Sequence, residues 1–204
     1  MRVLIGCEYS GRVRDAFIAR GHNAMSCDLH ETEVPGPHYQ GDLRDVLYAN
    51  WDLAIFHPDC THLSVSGARH FTEKRMDGRQ QKALSFVGFL MQAPIPRIAI
   101  ENPVSIISTV FRRPEQIIQP YQFGHEEFKA TCLWLKNLPL LQPEGELDPP
   151  PRGSEEFKAW SIVHRMPPGP DRWKDRSRTY TGIAEAMADQ WGGETVCPQL
   201  ELTA

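Results

Sequence analysis

The stretch 51–69, WDLAIFHPDCTHLSVSGAR, constrains the fold more than any other part of the chain. Leu53–Phe56 is an apolar run that predicts a short buried strand. Pro58 cannot donate a ladder hydrogen bond and restricts His57 to extended geometry, so the strand must end there. Cys60 therefore follows the carboxyl end of a central strand. In an open α/β sheet, ligands bind at that edge.

Cys60 has two interpretations. A free cysteine beside a strand is often a small buried hydrophobe. A structural cysteine would be expected inside the apolar run, whereas Cys60 follows a strand-breaking proline and precedes polar, turn-forming residues. This position favours a reactive thiol.

The amino terminus predicts a strand, a turn and a helix. Residues 2–7 (RVLIGC) predict a first buried strand, 8–11 form a glycine-containing turn, and 12–20 have helical spacing up to a glycine C-cap. Small residues in such a turn let backbone amides approach a ligand at the helix start, although Gly6 and Gly11 do not complete a dinucleotide fingerprint. Asp28, after the next strand (23–26), is either a ribose-binding acid or a loop acid.

Two motifs resemble those of the DNA cytosine-5 methyltransferases. The first is the nucleophile motif, whose matching positions here are Cys60, Ser64, Gly67 and Arg69. The second is a Glu-Asn dipeptide, which Glu101-Asn102 matches at the end of the apolar run 97–100. The resemblance implies an α/β Rossmann-like methyltransferase fold, with an open, mostly parallel sheet and helices on both faces.

The resemblance also implies a chemistry: methyl transfer from S-adenosylmethionine to C5 of cytosine in DNA. Cys60 would attack C6 of the ring, and Glu101 would bind the ring near N3. Arg69 would steady the loop or contact a phosphate. Lys129 would replace an arginine that contacts the base.

The donor site implied by the resemblance draws on several loops. Asp42 follows Gly41, as in a family Gly-Asp pair that contacts the adenine of the donor. The expected cofactor-binding residues are Gly6, Glu8, Ser10, Gly11, Asp28, Leu29, Asp42 and Pro58.

The chain departs from the family in three respects. Asp59 stands between Pro58 and Cys60, where the family has proline directly before the cysteine, and its charge would raise the thiol pKa unless it points away. Lys129 and Thr131 occupy roughly the arginine places of the family's Gln-x-Arg-x-Arg motif. The third departure is the Pro-rich, partly basic region 139–178, which stands in place of a target-recognition domain and predicts short or absent sequence specificity.

Composition sets further limits. At 204 residues we expect one catalytic domain, 1–204, of bacteriophage type given its size. The formal charge of −4 means that DNA contacts require a local patch. The segment 152–178 holds seven basic and four acidic residues, and is either a phosphate-binding face or a solvated loop of mixed charge.

The cysteines and the apolar runs indicate where the chain works. Five cysteines without a CxxC pair argue against a disulfide framework and a thiolate zinc site, so we expect reduced thiols and no metal. No run is long enough for a membrane span or a signal peptide, which predicts a cytoplasmic protein without membrane contact. We expect a monomer, although the sequence leaves the oligomeric state open.

Local patterns predict the remaining elements. They are a loop over 30–41, a short helix over 43–49, a helix over 72–91, a helix over 106–110, a helix start at 114–117, a strand over 130–135 and a final helix over 183–191.

Two other functions fit the same residues. A C5 methylase of free pyrimidine nucleotides would need no recognition region. A DNA-binding protein with a catalytically decayed methyltransferase fold would explain Asp59 and the missing arginine motif. Single-stranded DNA or a short duplex site, with its target base flipped out of the stack, is the substrate expected for the leading hypothesis.

Overall fold

The computed structural model describes residues 1–170 and 172–193, without the side chain of His164. Asp171 of the basic segment and Cys197 lie outside the described residues. The strands are β1 (Arg2–Gly6), β2 (Asn23–Asp28), β3 (His38–Gln40), β4 (Leu53–Phe56), β5 (Arg97–Pro103), β6 (Gln116–Ile118) and β7 (Thr131–Lys136). The helices are α1 (Arg12–Ala19), α2 (Phe71–Met76), α3 (Arg79–Met91), α4 (Ile107–Val110), α5 (Glu155–Ala159), α6 (Ile162–Arg165), α7 (Arg172–Ser177) and α8 (Thr181–Gly192).

These strands form one sheet with the order β3-β2-β1-β4-β5-β7-β6. The pairs from β3 to β5 are parallel, whereas β7 runs antiparallel to both of its neighbours. The order β3-β2-β1-β4-β5 is that of a doubly wound Rossmann-like sheet, in which the order of the strands reverses between β1 and β4. The carboxyl ends of these five strands therefore meet at one edge.

Apolar side chains cover both faces of the sheet, because successive residues of a strand point to opposite sides. Val3 and Ile5 of β1 belong to a core cluster with α1 and α8. Leu4 belongs to the cluster on the other face, which includes residues of α3. Helices thus pack on both faces, and the predicted α/β Rossmann-like fold with an open, mostly parallel sheet is confirmed.

Three local predictions were wrong. The helix expected over 72–91 is two helices, because Gly78 adopts φ 78° between α2 and α3. The segment 114–117 does not begin a helix, since Gln116–Ile118 pairs with β7 and this tertiary pairing outweighs local propensity. The loop expected over 30–41 contains β3, which pairs with β2.

The region 139–178 has more regular structure than its eight prolines suggested. It contains α5, α6 and α7, each of six residues or fewer. The next element, α8, is the predicted final helix, and its buried residues include Ile183, Met187 and Trp191. Among the described residues, no helix is both long and apolar enough to cross a membrane.

Candidate functional site

A cleft of about 1300 Å³ lies at the carboxyl edge of the sheet. Nine of the twelve residues expected at the site line it: Glu8, Ser10, Asp28, Leu29, Asp42, Pro58, Cys60, Glu101 and Lys129. Gly6, Gly11 and Arg69 do not. The residues expected to act on the cytosine and those expected to bind the methyl donor therefore line one cleft. The part of the cleft lined by the second group is called the donor side.

Cys60 and Glu101 come from neighbouring strands. Phe56, the last residue of β4, pairs with Ile100 of β5, so the chain reaches Glu101 one step beyond that pair and Cys60 four residues beyond β4. The Cys60 carbonyl accepts hydrogen bonds from the backbone of Leu63 (3.0 Å) and Ser64 (2.9 Å). These bonds close a tight turn that fixes the position of the cysteine.

The Cys60 thiol is half-buried, and its environment favours the protonated form. Burial and the charges of Asp59 and Glu101 raise its pKa to about 11, against the opposing effect of Lys129 and Arg176. A thiolate at neutral pH therefore requires a change in this balance.

The Glu101 carboxylate has a defined partner. His57 donates from Nδ1 to Oε2 of Glu101 over 3.3 Å, and both side chains are largely buried. Burial raises the pKa of Glu101, but the hydrogen bond from His57 and the charge of Lys129 outweigh it, so the pKa lies below its usual value. An ionised carboxylate and a protonated thiol thus face one cleft.

The Asp59 carboxylate forms hydrogen bonds within its own loop. Its Oδ1 accepts hydrogen bonds from the Thr61 backbone (2.9 Å) and from Oγ1 of Thr61 (2.6 Å), which is an Asx turn. The carboxylate is exposed, yet its charge still raises the pKa of Cys60. Its local role is therefore to shape the loop that carries the cysteine.

Lys129 enters the cleft from the segment that precedes β7. Its ammonium group donates to the carbonyl of Arg176 (2.8 Å) and lies 5.6 Å from the centre of the Tyr180 ring. It also contributes positive charge to Cys60 and to Glu101. Lys129 therefore binds the backbone of α7 and also places a positive charge near Cys60 and Glu101.

Glu8 is buried, and its carboxylate accepts hydrogen bonds from neighbouring groups of the chain. Its Oε1 accepts from the Ser10 hydroxyl (3.0 Å) and from the Val13 backbone (2.8 Å), and Oε2 accepts from the Arg14 backbone (3.4 Å). These bonds satisfy amides at the start of α1 that would otherwise hold an anion. The first turn is therefore no phosphate cradle.

Gly6, Gly11 and Arg69 lie outside the cleft lining, each for its own reason. A Cβ on Gly6 would come within 2.6 Å of the Phe56 ring, so this glycine permits core packing. Gly11 caps α1 with φ 75°. Arg69 is exposed and donates from Nε to Nε2 of His70 (2.9 Å).

Two acids on the donor side, Asp28 and Asp42, differ in how many of their oxygens already accept hydrogen bonds. Oδ1 of Asp28 accepts from the His30 backbone (2.8 Å). Both oxygens of Asp42 are used, because Oδ1 accepts from the Arg44 backbone (2.9 Å) and Oδ2 from its guanidinium group (2.8 Å). The geometry thus favours Asp28 over Asp42 as a direct ligand contact.

Sequence reasoning missed an aromatic cluster beside Asp28 and Leu29. The Trp173 ring lies 4.8 Å from that of His30 and 5.5 Å from that of Tyr9, measured between centroids. All three line the cleft. The single available signal was a tryptophan within a Pro-rich, basic segment.

The segment that carries Trp173 is fastened to the amino-terminal loops. Arg178 donates two hydrogen bonds to the Glu33 carboxylate, at 2.8 and 2.6 Å. Arg12 donates to the Thr179 carbonyl (2.9 Å), and the Tyr9 hydroxyl donates to the Lys174 carbonyl (2.7 Å). The segment α7 to α8 thus forms one wall of the donor side.

The described residues contain no group of three or more His, Cys, Asp or Glu side chains arranged to hold a metal ion. No family model matches the chain. No curated protein matches it.

Solved structures do resemble it. One is that of a candidate DNA modification methyltransferase encoded within a prophage of E. coli, with 13% sequence identity and a TM-score of 0.49. The match covers 73% of this chain and 52% of that one, so the chain spans about half the length of that protein.

Proposed function

We propose that this chain transfers a methyl group from S-adenosylmethionine to C5 of cytosine in DNA, through a covalent bond between Cys60 and C6. The observation that carries the proposal is the meeting of Cys60 and Glu101, from adjacent strand ends, in one cleft with the residues expected to hold the donor. One cleft for both reactants is what direct methyl transfer requires.

The donor side fits a sulfonium compound better than a dinucleotide. Glu8 already accepts hydrogen bonds from the start of α1, so that helix end is not free for a pyrophosphate. The lining is instead acidic on this side, with Asp28 and Asp42, and includes the exposed faces of Leu29 and Trp173. Acids suit a positively charged donor and its ribose hydroxyls, while Leu29 and Trp173 suit a purine ring.

When bound, S-adenosylmethionine supplies an electrophilic methyl group. Cys60 loses its proton to solvent, and its sulfur forms a bond to C6, which moves electron density to C5. Glu101 takes up a proton from water as the ring binds, donates it in a hydrogen bond to N3, and so offsets the charge that develops there. After C5 gains the methyl group, it loses its proton to water, and the bond between Cys60 and C6 breaks.

Charges around Cys60 are arranged so that substrate binding can change them. Lys129 and Arg176 already lower its pKa, while Asp59 and Glu101 raise it. A pyrimidine that hydrogen-bonds Glu101 would weaken one of the opposing charges. The thiolate would then form mainly in the complex, which protects the free thiol from side reactions.

DNA is the proposed substrate because cations flank the nucleophile. Lys82 of α3 lines the cleft on one side, and Arg172 and Arg176 of α7 line it on the other. We propose that the region 139–178, which supplies both arginines, contacts the phosphate backbone in place of a recognition domain. Such contacts position a strand without reading its sequence.

The deciding experiment is covalent trapping. The protein is incubated with S-adenosylmethionine and DNA that contains 5-fluorodeoxycytidine, in which fluorine at C5 blocks the final elimination. We expect an adduct that survives denaturation, maps to Cys60 by peptide mass spectrometry and is lost in Cys60→Ser. Bound donor without any adduct would instead support a decayed enzyme that only binds DNA.

A second candidate is methylation of a free pyrimidine nucleotide. It is favoured by the short span between β7 and α8, whose described residues form three short helices, α5, α6 and α7. Labelled donor offered with dCMP, single-stranded DNA and duplex DNA in parallel separates the candidates by which product carries the label. Transfer to dCMP alone would replace DNA as the substrate and leave the chemistry unchanged.

A further inference from the structure

His57 stands out because its side chain is buried at the reacting centre and none of the steps above uses it. Its side chain is 8% exposed and lines the cleft. It immediately follows β4, and its backbone amide donates to the Gly6 carbonyl over 2.9 Å. The next carbonyl, of Pro58, accepts from Nδ2 of Asn102 over 2.8 Å. The backbone that carries the imidazole is therefore held on both sides.

The imidazole makes one polar contact among the described residues. Nδ1 lies 3.3 Å from Oε2 of Glu101, and Nδ1 must carry the hydrogen atom because a carboxylate only accepts. Nε2 is buried and has no hydrogen-bond partner among the described residues. A buried histidine whose ring has a single partner is arranged around that partner.

We infer that His57 is a positioning residue for Glu101: its Nδ1–H holds Oε2 of the carboxylate in place at the reacting centre. The inference rests on the proposed function for the identity of the ring. The hold on Glu101 itself rests on the distance and the burial alone.

Other charges also act on this pair, and each comes from a different element. Lys129, before β7, acts on Glu101 directly. Cys60, in the loop after β4, and Cys132 of β7 both experience the Glu101 charge. Arg176 of α7 acts on Cys60. Because these groups remain when His57 is replaced, the contribution of the imidazole can be isolated.

The test uses His57→Phe, which keeps a planar ring and removes the donor, and His57→Asn, whose amide nitrogen can replace Nδ1. Glutamate carboxyl groups labelled with ¹³C are titrated by NMR in the free full-length protein, and the Glu101 signal is assigned by its loss in Glu101→Gln. We expect the pKa of Glu101 to rise in His57→Phe and to return towards the wild-type value in His57→Asn. A merely structural role would not produce that return.

Kinetics give the second reading. We expect single-turnover methyl transfer to fall about tenfold to a hundredfold in His57→Phe, the range expected for a hydrogen bond to a charged group. Donor affinity should stay unchanged, and His57→Phe should have no further effect in a Glu101→Gln background.

The outcomes separate the two proposals. An unchanged Glu101 pKa in His57→Phe overturns the inference, whatever the activity. A raised pKa in a protein whose wild type binds the donor but never methylates DNA or dCMP supports the hold on Glu101 and overturns the proposed function alone. Equal effects of His57→Phe in the wild-type and Glu101→Gln backgrounds would show that His57 acts on the rate independently of Glu101, which also overturns the inference.

Discussion

Asn102 donates a hydrogen bond from Nδ2 to the carbonyl oxygen of Pro58 over 2.8 Å, and its side chain is buried. The residue directly after Glu101 therefore holds the loop that carries Cys60. Any change at Asn102 should act on the thiol through this bond.

The first prediction concerns Asn102→Leu, which keeps roughly the shape of the side chain and removes the donor without adding an acid. We expect a loss of about 1–3 kcal/mol in the free energy of unfolding, because a buried carbonyl loses its partner. Adduct formation at Cys60 should also slow. Urea denaturation and the trapping assay measure the two effects.

Asn137 provides the matched control for Asn102. Its Nδ2 also donates to a proline carbonyl, that of Pro96, over 2.8 Å, but this bond is exposed and precedes β5 at the opposite edge of the sheet. Asn137→Leu should leave adduct formation unchanged. If both variants slow the adduct equally, the bond to Pro58 has no special role.

The second prediction concerns Asp59→Asn, which retains an oxygen for the turn with Thr61 and removes the charge. The pKa of Cys60 is raised to about 11 by burial, Asp59 and Glu101, so the thiol is mostly protonated at pH 8. Removing a charge that raises this pKa must lower it and increase the thiolate fraction. We expect alkylation of Cys60 at pH 8 to accelerate roughly twofold to fivefold, as suits a solvated charge at close range.

Peptide mass spectrometry after iodoacetamide treatment measures this rate for each cysteine separately. Cys132 is the internal control, because its raised pKa is attributed to burial and Glu101 and not to Asp59. The increase at Cys60 should fade as the pH approaches 11, where the wild-type thiol also ionises. A rate at Cys60 that is the same in both proteins at pH 8 would mean that the Asp59 charge is fully screened.

The third prediction concerns the bidentate pair of Arg178 and Glu33. Since this pair fastens the Trp173 segment to the donor side, Glu33→Gln should weaken S-adenosylmethionine binding by about twofold to fivefold, consistent with a partly exposed ion pair worth up to about 1 kcal/mol. Isothermal titration calorimetry measures the affinity.

Asp189→Asn is the control for this pair, because Asp189 pairs with Arg20 at a similar exposure and neither residue lines the cleft. It should leave donor affinity unchanged. The charge-swapped double variant Glu33→Arg with Arg178→Glu should recover part of the lost affinity. Equal weakening of donor affinity by Glu33→Gln and Asp189→Asn would show that the Arg178–Glu33 pair has no specific effect on donor binding.

The paired strand ends could be predicted from the sequence because their signals are local. An apolar run followed by Pro58 fixes where β4 ends, and a second run fixes where Glu101 lies. The parallel pairing of Phe56 with Ile100 then brings the two polar ends together. Local signals locate the two strand ends, and the family resemblance supplied the expectation that Cys60 and Glu101 act together.

The donor wall could not be predicted in this way. Arg178 and Glu33 are 145 positions apart, and the contact of Trp173 with His30 depends on how α7 folds back over the first loops. No periodic pattern in the sequence predicts such a long-range contact. The wrong helix at 114–117 has the same origin, because a distant strand decided the conformation of Gln116–Ile118.

The last prediction concerns Gly182, at the start of α8. A Cβ at this position would lie 2.1 Å from the Phe123 carbonyl oxygen, which is backbone and cannot turn aside. Gly182→Ala must therefore push α8 away from the turn at 120–123 and disturb its buried face. We expect a loss of about 1–3 kcal/mol, the usual cost of overpacking, in urea denaturation. Gly169→Ala is the control, because a Cβ there meets nothing within 4 Å, and equal stability of the two variants would contradict the close approach of α8 to Phe123.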